Sequence, residues 1–171
     1  MSTDTRLPYG VRPGDFEVGS IGGLAGKGVW LGQRLNGAGE FAKYEHALLW
    51  TGIGYIQADP KGVTFRRDYP PGRKYSAWST GKIRLTGEQR TAIVNAAFGY
   101  VGTDYSALDY FAIFAHHFHV PVPGLVDYIK DTGHMICSQL VDQCYKDGKA
   151  DLFPGNIPGY VTPADLARLI A

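Results

Sequence analysis

The chain has 171 residues, 44% of them hydrophobic and 19% charged, with a net charge of +1. That length suits one domain with a core of its own. Lys and Arg are scattered and nearly balanced by acids, which excludes a nucleic-acid footprint built on a clustered basic face. No run of about 18 apolar residues exists to cross a membrane.

Residues 1–10 read as a loose polar tail ahead of a single domain over 11–171. The tail lacks the apolar segment of a secretory signal. The reading is therefore a cytoplasmic protein, or one delivered by lysis or with a phage particle. Pro13-Gly14-Asp15 supplies turn chemistry and leads into a short strand through Val18. Residues 19–40 are rich in glycine, with Val29, Trp30, Leu31 and Leu35 at roughly helical spacing, and predict a short helix or a mobile loop. Strands are predicted over 45–51 and 54–59, joined as a hairpin at Thr51-Gly52-Ile53-Gly54. A third follows the Asp59-Pro60-Lys61-Gly62 turn as Val63-Thr64-Phe65-Arg66. A fourth lies between Ser76 and Leu85, ending at Ile83-Arg84-Leu85.

Thr86 then caps a helix, with Gln89 at the capping-box position. Ile93, Val94, Ala97 and Tyr100 trace its apolar face, and Gly99 and Gly102 bracket its end. Residues 106–130 form an aromatic-rich insertion holding Tyr110, Phe111, Phe114, Phe118 and Tyr128, interrupted by Pro121 and Pro123. A helix from Cys137 to about Lys146 carries Cys137, Leu140, Val141, Cys144 and Tyr145 as one apolar stripe. Thr162 caps a last helix over 163–170, with Pro163 at its first position. Strands first and helices after predict an α+β fold, a small antiparallel sheet or half-barrel packed against helices.

Two residues carry chemistry. Cys137 opens a helix, where unpaired backbone N–H groups and the positive end of the helix dipole favour thiolate. His46 opens a strand, and a histidine beside such a thiol makes a Cys–His pair. If Thr51 faces Gly54 across the turn, His46 lies opposite Asp59 and Leu48 opposite Gln57. Residues 46, 57 and 59 then share one face, so either Gln57 or Asp59 can orient the imidazole. Each residue also has a plainer reading. Free cysteine is among the most buried residue types, His46 suits an ordinary strand histidine, and a lone strand Gln is usually solvated. Cys144, mid-helix, reads as core. Seven residues of helix separate the two cysteines by about 10.5 Å, beyond the roughly 7 Å a disulfide tolerates, so both read as free thiols.

Six short motifs, in order, resemble the circularly permuted branch of the NlpC-type papain-like cysteine hydrolases, which includes the YiiX-like proteins and, more distantly, lecithin–retinol acyltransferase. They are Pro13-Gly14-Asp15; Tyr44-Glu45-His46-Ala47-Leu48; Tyr55-Ile56-Gln57-Ala58 with Gly62-Val63; Val101-Gly102-Thr103-Asp104-Tyr105; Cys137-Ser138-Gln139-Leu140-Val141; and Thr162-Pro163-Ala164-Asp165-Leu166. The resemblance implies a permuted papain-like fold and acyl transfer through a thioester. Cys137 attacks a carbonyl, and its backbone N–H forms part of an oxyanion hole. His46 pairs with the thiolate, protonates the leaving group and activates water. The substrate that the resemblance implies is a peptide or acyl compound, in the first place a cell-wall peptide. Tyr44 and His134 are further candidates for lining the site. No cofactor is implied.

Gln57 stands where the family often has a carboxylate, and Gln139 replaces the usual Glu of the cysteine motif. A neutral amide still fixes the ring but stabilises imidazolium less. The insertion 106–130 has no counterpart that aligns. His116-His117-Phe118-His119 invites a metal reading, but no cysteine or carboxylate pattern completes a site; histidines at a helix C-terminus are the plainer reading. The aromatic segment lacks the basic face of a membrane-surface helix and more simply packs on the sheet or walls a groove. Three functions stay open at this point: an amide hydrolase, an acyltransferase or lipid-ester hydrolase, and a non-catalytic module of a larger assembly. Oligomeric state is not legible.

Overall fold

Five strands make one antiparallel sheet in the computed structural model, which describes residues 7–69, 73–105 and 135–171. They are β1 (Phe16–Gly19), β2 (His46–Trp50), β3 (Tyr55–Asp59), β4 (Gly62–Arg66) and β5 (Ser76–Trp78), in the order β4-β3-β2-β1-β5. Among the described residues four α-helices accompany them: α1 (Gly23–Leu35), α2 (Gly87–Gly99), α3 (Cys137–Asp147) and α4 (Pro163–Leu169). The fold is α+β, as the element order predicts. No helix among the described residues is long and apolar enough to cross a membrane.

The hairpin is set by its turn. Gly52 takes φ +98, a conformation that suits glycine, and Thr51 donates both its N–H and its hydroxyl to the Gly54 carbonyl at 2.8 and 2.9 Å. The resulting register pairs Leu49 with Ile56 and Trp50 with Tyr55, the predicted one. The next turn closes at Gly62 with φ +96, where a Cβ would stand 2.7 Å from the Thr103 carbonyl oxygen. That close approach lets Val63 donate to Thr103 O and Gly102 donate to Val63 O, tying the end of α2 to β4.

Period-two alternation divides the sheet. Phe16, Val18, Ala47, Leu49, Ile56, Ala58 and Val63 face one way and are fully buried against the helices. Opposite them stand Ile93 and Ala97 of α2, Leu140, Val141, Cys144 and Tyr145 of α3, and Leu166 and Ala167 of α4. Each large aliphatic side chain so buried contributes about 1.5–3 kcal/mol. Glu17, His46, Leu48, Gln57 and Asp59 alternate to the other side.

Both predicted caps form. Thr86 accepts from Gln89 N at 3.1 Å while Gln89 reaches back to Thr86 N at 3.0 Å, and Thr162 and Asp165 do the same for α4. Residues 19–40 resolve to a helix, α1, followed by a 3-10 turn, Gly39–Lys43. One boundary differs from expectation: the last strand ends at Trp78, not at Leu85. Its partner β1 begins at Phe16, which exchanges hydrogen bonds with Ser79, and upstream the partner chain bends into the Pro13-Gly14 turn. With no strand left to pair, the chain turns at Gly81 (φ +73). Ile83 and Leu85 still pack on the core from the loop.

Candidate active site

His46 is the first residue of β2 and is 7% exposed. Its Nε2 lies 2.9 Å from Gln57 Oε1. Gln57 in turn donates from Nε2 to Asp59 Oδ2 at 3.0 Å. The two candidate orienters are thus used in series rather than as alternatives. The reason is local: residues 57 and 59 project from the same face of β3, so neighbouring side chains reach one another. Asp59 is held from its far side as well, its Oδ1 accepting from Lys61 N at 2.8 Å and its Oδ2 lying 3.8 Å from Arg66 Nη2.

Cys137 is the first residue of α3, preceded by extended Ile136 at φ −97, ψ 167. Gln139 Oε1 accepts from Ile136 N at 3.4 Å, the reach-back half of a capping box. Ile136 has no oxygen to supply the other half. This gives Gln139 a structural use at the helix start. Cys137 is 1% exposed and belongs to the same apolar cluster as Ala47 and Leu49 of the histidine strand. Cys144, about two turns further along the same stripe, is fully buried, and burial pushes its thiol well above the ordinary range. No disulfide joins the two.

Three ties fix which way α3 runs over the sheet. Near its end, the Tyr145 ring meets Phe16 edge-on at 5.6 Å, and its hydroxyl donates to Gly14 O at 2.6 Å. Phe16 pairs with Leu49 and Gly14 N donates to Trp50 O, so this part of the helix lies over the end of β2. Cys137 stands about 12 Å back along the helix, a length close to the roughly 13 Å of β2. The second tie is Met135 N donating to Asp104 O, beside the Thr103–Val63 bond; Val63 pairs with Ala58, near the Asp59 end of β3. The third runs from Ser138 Oγ to Val161 O (2.7 Å), and through α4 from Ala164 N to Gln33 Oε1 (2.8 Å) and Gln33 Nε2 to Tyr44 O (2.8 Å). All three draw the N-terminus of α3 to the end of the sheet that carries His46. His46 alternates with Ala47 and Leu49, so it stands on the opposite face of β2 from the apolar cluster that holds Cys137.

Tyr44 caps the 3-10 turn, two residues before His46, half-buried against the core with Lys43 Nζ 5.4 Å from its ring centre. His134, the histidine cluster 116–119 and the insertion 106–130 lie outside the described residues. Among the described residues, no three His, Cys, Asp or Glu side chains come together as a metal centre would need.

Two side chains that sequence reasoning passed over hold this end together. Glu45, next to His46, accepts from Ile21 N and Gly22 N through one oxygen, each at 2.9 Å, and so anchors the start of α1. A carboxylate there also suits the positive end of the helix. Gln33, 6% exposed, spends its whole amide on three backbone partners: Ala42 O, Tyr44 O and Ala164 N. A third, Asp142 on α3, is 2% exposed, and burial, reinforced by Asp151, raises its carboxyl to about 7. No protein-family model matches the chain, and no curated protein does.

Proposed function

We propose that the chain is a thiol hydrolase of the circularly permuted NlpC-type papain-like kind, cutting an amide through a thioester on Cys137. The observation that carries the reading is the hydrogen-bonded series His46–Gln57–Asp59 at the sheet end toward which the N-terminus of α3 is drawn. An ordinary strand histidine has no need of two polar residues arranged behind it. A cysteine at a helix start, supported by helix-end N–H groups, is the type of thiol that such a histidine activates.

In this mechanism His46 takes the Cys137 proton, and the thiolate attacks the substrate carbonyl carbon. The tetrahedral oxyanion is met by the Cys137 backbone N–H. As the C–N bond breaks, the imidazolium returns its proton to the departing amine, leaving a thioester. Water, deprotonated by His46, then attacks the thioester and releases the carboxylic acid and the thiol. A peptide amide of the bacterial cell wall is the substrate class that the resemblance implies.

Alkylation tests this directly. Iodoacetamide near neutral pH is expected to modify Cys137 at least about tenfold faster than Cys144, because the proposed pairing with His46 favours thiolate at the former alone. His46→Ala should remove most of that difference. Equal, slow labelling of both cysteines overturns the catalytic reading. Incubation with muropeptides and with phospholipid vesicles, comparing wild type with Cys137→Ala, identifies the bond. Cleavage of muropeptides supports the amide hydrolase, whereas a Cys137 acylated by lipid and inactive on muropeptides overturns it.

A further inference from the structure

The Gln57 amide sits between a ring nitrogen at 2.9 Å and a carboxylate oxygen at 3.0 Å, and its two ends are chemically opposite. An ionised carboxylate only accepts hydrogen bonds. Asp59 therefore takes the NH2 end of the amide and leaves the carbonyl end facing His46. A carbonyl oxygen in turn only accepts, so the ring nitrogen it faces, Nε2, must carry the proton. Asp59 has little freedom to turn away, since its other oxygen holds Lys61 N at 2.8 Å and Arg66 lies 3.8 Å from the first.

We infer that Asp59 is a positioning residue that selects the tautomer of His46 without touching it. With the proton on Nε2, neutral His46 keeps Nδ1 bare, and a bare nitrogen is what a thiol proton requires. With the amide reversed, its NH2 would face Nε2, the proton would move to Nδ1, and that nitrogen could no longer receive one. Gln57 alone cannot make this choice, because a primary amide presents a donor at one end and an acceptor at the other with equal ease. The carboxylate two residues away breaks the tie. The catalytic use of Nδ1 rests on the proposed thiol chemistry; the tautomer itself does not.

The test is nitrogen NMR of the imidazoles in a Cys137→Ala background, so that no thiolate complicates the ring, at a pH where the rings are neutral. Comparison with a His46→Ala sample assigns the signals. His46 is expected as the Nε2–H form. Asp59→Lys, which offers donors in place of acceptors, is expected to reverse the population in favour of Nδ1–H by more than tenfold. Asp59→Asn, with one acceptor for two donors, should move it partway. Gln57→Glu presents acceptors at both ends, and should restore Nε2–H even when combined with Asp59→Lys. A native-like amide spectrum checks that each variant folds, and Asp59→Asn decides if Asp59→Lys does not. A wild-type Nδ1–H ring, or a population unmoved by either substitution in folded protein, overturns the inference. With Cys137 present, Asp59→Lys is also expected to slow alkylation of that thiol more than tenfold, with rescue by Gln57→Glu. A tautomer that follows Asp59 while alkylation stays unchanged would leave the inference standing and count against the hydrolase alone.

Discussion

Asp142 sits in the Cys137 helix with Oδ1 buried and without a hydrogen-bond partner among the described residues. Its folded-state value of about 7 lies above the ordinary carboxyl value of 3.8. The folded protein thus binds this proton more tightly than the unfolded chain does. Its stabilising effect is complete below about pH 4 and is lost as pH rises toward 7. Asp142→Asn should therefore raise stability above pH 7 by about 1–3 kcal/mol, after allowing for partial screening, and do little at pH 4. Urea unfolding at the two pH values checks this; an equal effect at both would refute it. At this scale the sequence was informative where chemistry is local. His46 and Cys137 stand at element starts, and Gln57 and Asp59 are two apart on one strand, so their common face could be read from periodicity. Their use in series could not, because it depends on rotamers. Gln33, Glu45 and Asp142 gave no signal, since a polar residue in a helix or ahead of a strand reads as solvated until its distant partners are known.

At the scale of elements, α1 shows what a single buried amide can replace. Among the helix's described side chains, Trp30, Leu31 and Leu35 are exposed. Gln33 instead joins it to the 3-10 turn and to α4. Gln33→Leu leaves two carbonyls and one N–H without their partner. It is expected to cost about 2–4 kcal/mol, on the basis of about 1–3 kcal/mol for each buried group left unsatisfied. Thermal or urea unfolding measures it, and a loss below about 0.5 kcal/mol would show that water takes over the role. Glycine-rich sequence left the choice between helix and loop open here because the deciding contact, Ala164, lies 131 residues away. The caps were legible because Thr86–Gln89 and Thr162–Asp165 are complete within four residues. The end of β5 was not, because a strand stops where its neighbour stops, and the β1 boundary at Phe16 is not written in residues 79–85.

Across the whole molecule, the sheet and two of the helices that cover it, α3 and α4, come from opposite ends of the chain. Tyr145 joins them: its hydroxyl bonds to Gly14 O across 131 residues, and its ring packs on Phe16. Tyr145→Phe keeps the ring and leaves the Gly14 carbonyl unpaired, so a loss of about 1–3 kcal/mol is expected. Chemical denaturation that shows no change would place that carbonyl in contact with solvent. The same architecture bears on synthesis. All five strands have been made once Trp78 leaves the ribosome, but α3 does not begin until Cys137. In the interval, Phe16, Leu49 and Ile56 lack much of the layer that later covers them, and α2 shields only part of it. A nascent chain halted there carries a naked oily surface, the kind that invites chaperones or self-association. The Cys144 sulfur, carried on that late helix and enclosed once it docks, would then time the final step of folding in a pulse of thiol reagent.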